Sequence, residues 1–182
     1  MRNALIAILI VATCPLACNQ PGFVPSTSPP SRDQAWDLYQ PCRIDILPFT
    51  KPKSFDADPY PDGVEVAVRL IDALDDPVKA WGTFQFELYH FRPASGEPRG
   101  ERAGRWTMQL ASVADQRHYW DRVTQTYRFP LGWEGTPLMP DKKYILDVSF
   151  QPPDHQRIMA QPYTLVFNPD IESLRRARSV GR

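Results

Sequence analysis

Two alternating segments joined by a turn constrain this chain more than any other part of its sequence. Every second residue from Val64 to Leu70 is aliphatic, and charged or small residues lie between them. Phe84, Phe86 and Leu88 alternate in the same way with residues that carry polar groups. This period of two predicts two β-strands, each with one buried and one exposed face. The segment between them, Asp72 to Lys79, is rich in aspartate, which is typical of a turn.

Five further segments have the alternation of strands. They are Cys42 to Leu47, Trp106 to Leu110, Val123 to Phe129, Tyr144 to Phe150 and Ile158 to Phe167. The last one contains Pro162, which predicts a break or an edge position because proline has no N–H to donate to a neighbouring strand. The chain has 20 prolines in 182 residues, about twice the usual share of roughly 5%. The sequence therefore predicts an all-β fold, an antiparallel β-sandwich, over residues 36–168.

Composition and charge narrow the classes of partner. Hydrophobic side chains make up 42% of the chain and its formal net charge is zero, so one core of ordinary domain size is expected. The central region has no run of Lys and Arg interleaved with aromatic residues. A neutral chain of this kind has no general attraction to phosphate backbones, and we expect no nucleic-acid partner.

The first 17 residues have the layout of a secretory signal peptide. Arg2 precedes an apolar run from Ala4 to Ala12, and small residues follow. The run is roughly ten residues long, well short of the roughly 20 that a membrane-spanning helix needs. The ending Leu16-Ala17-Cys18 resembles the lipobox of bacterial lipoproteins, in which the cysteine becomes the lipidated N-terminus of the mature protein. Cys14 is an alternative acceptor, and simple secretion is the other alternative.

The lipoprotein resemblance implies a location and a partner. Cys18 would carry the lipid, including palmitate, and residues 18–35, rich in proline and serine, would tether the folded domain. The protein would then lie in the bacterial cell envelope, at the outer membrane or on the periplasmic face if the cell has two membranes. Its partners would be the membrane, through the lipid, and an unidentified envelope protein or glycan.

Cysteine usage predicts a fold without an intramolecular disulfide. After removal of residues 1–17 and lipidation of Cys18, Cys42 is the one remaining thiol. Cys42 alternates with Ile44 and Ile46, so we expect a buried structural thiol on the strand face that they share.

The turn between the two strongest strands carries a second resemblance. The residues concerned are Val66 and Val68 leading to Asp72, then Asp76-Pro77-Val78-Lys79-Ala80, then Phe84, Phe86 and Leu88. This arrangement resembles the opening of transthyretin-like and carboxypeptidase-regulatory-like sandwich domains, which are Ig-like. The resemblance implies a binding or structural module more often than an enzyme.

One polar and aromatic cluster has the composition of a ligand-binding site. His118, Trp120 and Arg122 lie together between two predicted strands, and Trp133 lies in the next loop. Binding groups concentrate on loops that a rigid scaffold holds, so we predict ligand contact by these four residues. The alternative is a hairpin connection in which the aromatic residues serve only as anchors. Burial of both Trp120 and Trp133 would remove most of the case for a binding face.

Metal, cofactor and catalytic signals are weak. Asp56, Asp58 and Asp62 are donors of the kind that Ca²⁺ prefers, but the interval from Pro59 to Pro61 interrupts the spacing of a calcium loop. We expect these aspartates to cap turns, with no metal and no cofactor. No catalytic motif is present, so a non-catalytic binding or structural module is expected. A carbohydrate- or peptide-binding module that uses loop aromatics is the alternative, followed by a hydrolase with unrecognised carboxylates.

Two remaining segments have no strand pattern. Arg92 to Gly104 is charged, contains glycine and proline, and is predicted to be an exposed loop. Residues 169–182 begin with Pro169 after Asn168, with acidic residues early and arginines late. That order predicts a short basic helix aligned with its dipole, with a frayed end as the alternative.

Overall fold

Strands dominate the computed structural model of this chain, which describes residues 31–55, 61–133, 142–153 and 155–166. Within these ranges there are two short helices, α1 (Arg32–Asp37) and α2 (Val113–Tyr119). The strands are β1 (Arg43–Ile46), β2 (Lys51–Lys53), β3 (Gly63–Ile71), β4 (Pro77–Val78), β5 (Gly82–Phe91), β6 (Arg99–Leu110), β7 (Trp120–Asp121), β8 (Thr126–Gly132), β9 (Lys143–Gln151), β10 (Ile158–Met159) and β11 (Tyr163–Val166).

The strands form two antiparallel sheets, which confirms the predicted all-β sandwich. The first sheet has the order β1-β3-β8-β7, and β2 and β4 also pair with β3. The second has the order β10-β9-β5-β6, with β11 also on β9. The break expected at Pro162 falls between β10 and β11. The predicted helix over residues 169–182 lies outside the described residues.

Aromatic side chains fill the space between the two sheets. Phe84, Phe86 and Leu88 of β5 are fully buried, as predicted. The ring of Phe129 on β8 lies 5.0 Å from that of Phe84 and 5.1 Å from that of Phe86, centroid to centroid. Tilted aromatic pairs at this separation add roughly 0.5 to 1.5 kcal/mol each to the effect of burial alone. One core therefore holds both sheets.

The turn between the two strongest strands passes from one sheet to the other. β3 belongs to the first sheet and β5 to the second, so the two segments pack face to face and are not paired. β4 first folds back onto β3, with Val78 opposite Leu70. The buried carboxylate of Asp72 fixes the turn because it accepts the N–H groups of Leu74 and Asp76. Alternation fixes which face of a strand is buried, and it leaves the choice of sheet open.

A threonine side chain connects two short edge strands along β3. β1 and β2 pair with the two ends of β3. Between them the hydroxyl of Thr50 accepts the N–H of Ala67 at 3.1 Å and donates to its carbonyl at 3.3 Å. The hydroxyl takes the place of a strand residue, so the backbone of Ala67 stays satisfied where it is buried.

Two strand boundaries differ from the sequence-based prediction. The predicted loop from Arg92 to Gly104 is strand from Arg99 onward, because its backbone pairs with β5, with Arg99 opposite Phe91. The guanidinium of Arg99 also binds Asp147 of β9 through two contacts of 2.6 and 3.0 Å. The strand predicted over Val123 to Phe129 does not include Val123, which is 91% exposed. It lies in a turn, and β8 begins at Thr126.

The expectation of a buried thiol at Cys42 is wrong. Ile44 is buried in β1 as expected, but Cys42 precedes the strand and is exposed. Its backbone N–H still continues the ladder by donating to the carbonyl of Ile71 at 2.8 Å. The main chain is therefore held, and the side chain faces solvent.

Candidate functional site

A short hairpin positions two of the predicted site residues. β7 pairs with the start of β8, with Trp120 opposite Tyr127. In the four-residue turn between them, the carboxylate of Asp121 accepts the N–H of Val123 at 2.8 Å and that of Thr124 at 3.3 Å. These backbone hydrogen bonds lower the pKa of Asp121. The turn is thus fixed by its own side chain, and Arg122 is held at its tip.

A hydrogen-bond network behind the hairpin connects α2 to β8 and to the segment between β4 and β5. The phenol of Tyr127 donates to the side-chain carbonyl of Gln116 at 2.6 Å and accepts the N–H of Ala80 at 3.2 Å. The amide of Gln116 also donates to the carbonyl of Ala80 at 2.7 Å. Burial raises the pKa of Tyr127 to about 12. The ring of Trp120 packs edge-on against that of Tyr127 at 4.9 Å, so this contact with a buried residue holds the indole in place.

An open groove of about 650 Å³ lies beside this hairpin. We call it the Trp120 groove, and it is lined by Tyr39, Pro77, Val78, Lys79, Trp120, Arg122 and Gln125. Three segments far apart in sequence build it: the residues after α1, β4 with the residue that follows, and the hairpin turn. Its volume falls within the roughly 300 to 1,000 Å³ typical of small-molecule sites.

Two cations without an acidic partner line the Trp120 groove. The Nζ atom of Lys79 lies 4.8 Å from the centroid of the Trp120 ring, within the range of a cation–π interaction. Arg122 is exposed, and neither cation forms an ion pair with any residue that the structure describes. The nearest carboxylate in sequence, Asp121, is already bound by two N–H groups and lies 3.1 Å from Arg128. The groove is therefore electropositive.

The four residues predicted to bind a ligand do not all come together. Trp120 and Arg122 line the groove, whereas His118 lies exposed on α2 and is not part of the lining. Trp133 follows the far end of β8, six residues beyond the partner of Trp120, or about 20 Å along a strand. Its ring packs at 5.8 Å against Trp106. Trp120 and Trp133 are both half-buried.

Sequence reasoning predicted Trp120 and Arg122 of the groove lining and missed the other five residues, among them Tyr39 and Lys79. Tyr39 and Lys79 lie about 80 and 40 residues before Trp120, and no spacing rule links them. The one usable signal was that Lys79 ends a turn between two core strands, where exposed binding groups are common. Their proximity to Trp120 depends on how the sheets pack.

A second cleft, of about 540 Å³, surrounds the exposed thiol. Its lining consists of Gln40, Pro41, Cys42, Pro152, His155, Gln156, Arg157, Ile158 and Met159. It lies where the edge strand β1 of the first sheet meets β10 of the second. The cleft brings a thiol, an imidazole and a guanidinium into one lining.

The described ranges contain neither a cluster of metal ligands nor a helix that could span a membrane. Within residues 31–55, 61–133, 142–153 and 155–166 no group of three or more His, Cys, Asp or Glu side chains could hold a metal ion. Asp62, one of the aspartates expected to cap turns, accepts the N–H of Phe55 at 2.7 Å, as a turn cap does. Asp56, Asp58 and the predicted lipid acceptor Cys18 lie outside these ranges. No helix within them is long and apolar enough to cross a bilayer.

Comparison of the chain with protein-family models, with curated protein sequences and with solved structures finds no significant match.

Proposed function

We propose that this chain is a lipid-anchored protein of the bacterial cell envelope and that its β-sandwich is a non-catalytic binding module. The Trp120 groove is its ligand-binding face. The observation that carries the binding role is the pair of cations, Lys79 and Arg122, beside exposed aromatic surface and without an acidic partner among the described residues. Both cations are exposed at the groove, so an anionic ligand can pair with them without displacing an ion-pair partner. The groove supplies groups that hold and orient a ligand.

The proposed sandwich type is transthyretin-like or carboxypeptidase-regulatory-like. Its support is the path of the chain at the turn. β3 ends at Ile71, Asp72 caps the turn, Pro77 and Val78 pair back on β3, and the next strand begins in the other sheet. Domains of that type mostly serve as binding or structural modules, which agrees with the non-catalytic role.

The proposed anchor is a lipid on Cys18. It rests on the short apolar run, the Leu16-Ala17-Cys18 ending and the proline- and serine-rich residues that follow. Two or three acyl chains on one cysteine would give durable attachment at about 0.8 kcal/mol per buried CH₂ group. Detergent phase partitioning of the expressed protein tests this. Cys18→Ser should move the protein to the aqueous phase and Cys14→Ser should not; the reverse result assigns the lipid to Cys14, and no effect of either change refutes a lipid anchor.

Binding through the groove is tested on insoluble envelope material. The full-length protein, purified in a non-ionic detergent, is mixed with washed envelope material and sedimented. Arg122→Gln and Lys79→Gln should each reduce the sedimented fraction, and Arg117→Gln, which removes an exposed charge on α2 outside the groove, should not. Equal sedimentation of all four proteins would refute the groove as the binding face.

A further inference from the structure

We propose that the Trp120 groove binds an acidic saccharide, one whose sugar rings carry carboxylate or phosphate groups. This inference rests on the proposed binding function and names the ligand class of the same site. Three properties of the groove carry it: its charge, its exposed ring and amide, and the shortness of the sheet edge beside it.

The charge of the groove lining favours an anionic ligand. The groove lining contains Lys79 and Arg122 and no carboxylate. Arg122 offers a planar fork of N–H donors that matches a carboxylate or a phosphate, and Lys79 offers a mobile ammonium. Lys79 is held against the ring of Trp120 and is not neutralised there, because a cation–π contact leaves the charge in place. An anionic group between these two side chains gives both cations the partner that they lack among the described residues.

The rest of the lining suits a sugar ring. The side chain of Tyr39 is 57% exposed at the groove, so one face of its ring is free to pack against the C–H face of a pyranose. Gln125 adds an amide that both donates to and accepts from hydroxyl groups. Gln125 has a positive φ of 53° at the end of the hairpin turn, so the turn that presents Arg122 also fixes the backbone of the amide residue.

The adjacent sheet edge argues against a peptide. Extended peptides most often bind by adding a strand to an exposed edge, and they gain affinity from a run of main-chain hydrogen bonds. Two edge strands border this groove, β4 and β7, and each has two residues. The turn that follows β7 immediately uses its N–H groups on Asp121. Few backbone N–H and C=O groups are therefore left to pair with an added peptide strand.

The test uses the full-length protein in non-ionic detergent and four probes in calorimetric titrations. The probes are trigalacturonate, its fully methyl-esterified form, glucose 6-phosphate and triglutamate. The ester keeps the sugar rings and removes the charge, so we expect trigalacturonate to bind at least about ten-fold more tightly than its ester, which is the effect of one charge-assisted hydrogen bond. Binding of glucose 6-phosphate alone would support the proposal with phosphate as the anion.

Variants locate the binding. Arg122→Gln and Lys79→Gln should each weaken the binding of trigalacturonate by about ten-fold. Tyr39→Ala should weaken it by about five-fold, because the contact with the ring is lost. Arg117→Gln should leave the affinity unchanged. All four positions are exposed, so none of the changes removes core contacts.

Three results would overturn the acidic-saccharide ligand: equal binding of the ester, binding of triglutamate as tight as that of the sugar probes, or binding of none of the four. In each case the envelope sedimentation experiment shows whether only the ligand class is wrong or whether the groove is not the binding face. If Arg122→Gln still reduces sedimentation, the groove remains the binding face and the ligand class is wrong. If it does not, the proposed function fails as well.

Discussion

At the scale of single residues, Tyr127 connects the core to several of the surrounding elements. Its ring contacts Phe84, Phe129 and Trp120, and its hydroxyl bonds to Gln116 and to the backbone of Ala80. The one residue therefore links the core to the wall of the Trp120 groove. Such a buried phenol resists ionisation because its charged form loses the solvation that it has in water.

The phenol of Tyr127 should make the stability of the fold pH-dependent in the alkaline range. Burial raises the pKa of Tyr127 to about 12, whereas an unfolded tyrosine titrates at about 10. Between these values the folded protein holds a proton that the unfolded chain has lost, so the stabilisation is complete below about pH 10 and is lost as the pH rises to about 12. We expect a loss of about 2 to 3 kcal/mol.

Urea unfolding at about pH 9 and about pH 11.5 measures this effect. Tyr127→Phe is the matched control, because phenylalanine keeps the ring and does not titrate. The wild-type free energy of unfolding should fall more steeply with pH than that of the variant. Parallel slopes would show that the phenol is not the group responsible.

Cys42 should react with thiol reagents in the folded protein. Its side chain is exposed in the cleft beside His155 and Met159. A disulfide reagent should therefore label it completely without denaturant, at a rate that changes less than about ten-fold when urea unfolds the chain. Labelling is followed by mass spectrometry, with Cys42→Ser as the control. Protection in the native state that is lost in urea would mean that the thiol is buried after all.

At the scale of elements, the short helix α2 depends on a local cap. Ser112 accepts the N–H of Asp115, and the carboxylate of Asp115 accepts the N–H of Ser112 in return, which completes a capping box. None of its described residues is buried, although the ring of Tyr119 packs 4.9 Å from that of Phe129. In so short a helix we expect the cap to contribute to stability as well. The helix in turn carries Gln116, which supports Tyr127 and through it the groove.

Removing the cap should destabilise the protein modestly. Ser112→Ala leaves the N–H of Asp115 without its partner and should cost about 1 kcal/mol in the free energy of unfolding. Ser112→Thr keeps a hydroxyl and should cost only a few tenths of a kcal/mol. Both are measured by denaturant unfolding. Equal stability of the two variants would show that the cap contributes nothing.

Sequence reasoning predicted the strands better than the connections between them. Local alternation identified the core faces of β3, β5 and β9, because successive side chains of a strand point to opposite faces and the buried face is therefore apolar at every second residue. It missed α2, although Ser112 and Asp115 have the spacing of a capping box. It could not assign β3 and β5 to different sheets, and it could not bring Tyr39 to Trp120, because both depend on tertiary packing. Two of the four predicted site residues, Trp120 and Arg122, lie in the groove. They come together because they are two residues apart in one hairpin.

At the scale of the whole molecule, one aromatic core holds the two sheets together. Tyr127 and Phe129 of the first sheet contact Phe84 of the second, and Phe129 also contacts Phe86. The indole N–H of Trp106 on β6 of the second sheet donates to the carbonyl of Gly132 on β8 of the first sheet at 2.7 Å, which adds a polar contact between the two sheets. With shared contacts of this kind, neither sheet keeps its buried face if the other unfolds, so we expect one cooperative unfolding transition.

Phe86 tests that expectation because it lies on the central strand of the second sheet, between Trp106 on β6 and Val148 on β9, and packs against the first sheet. Phe86→Ala removes a fully buried ring and leaves a cavity, so it should lower the free energy of unfolding by about 3 to 5 kcal/mol. Gln85→Ala, on the opposite and half-exposed face of the same strand, should change it by less than about 0.5 kcal/mol. Circular dichroism in the far ultraviolet and tryptophan fluorescence, followed in the same urea series, should give coincident midpoints for each protein. A change of less than about 1 kcal/mol for Phe86→Ala, or two separate transitions in the wild type, would contradict a single core shared by both sheets.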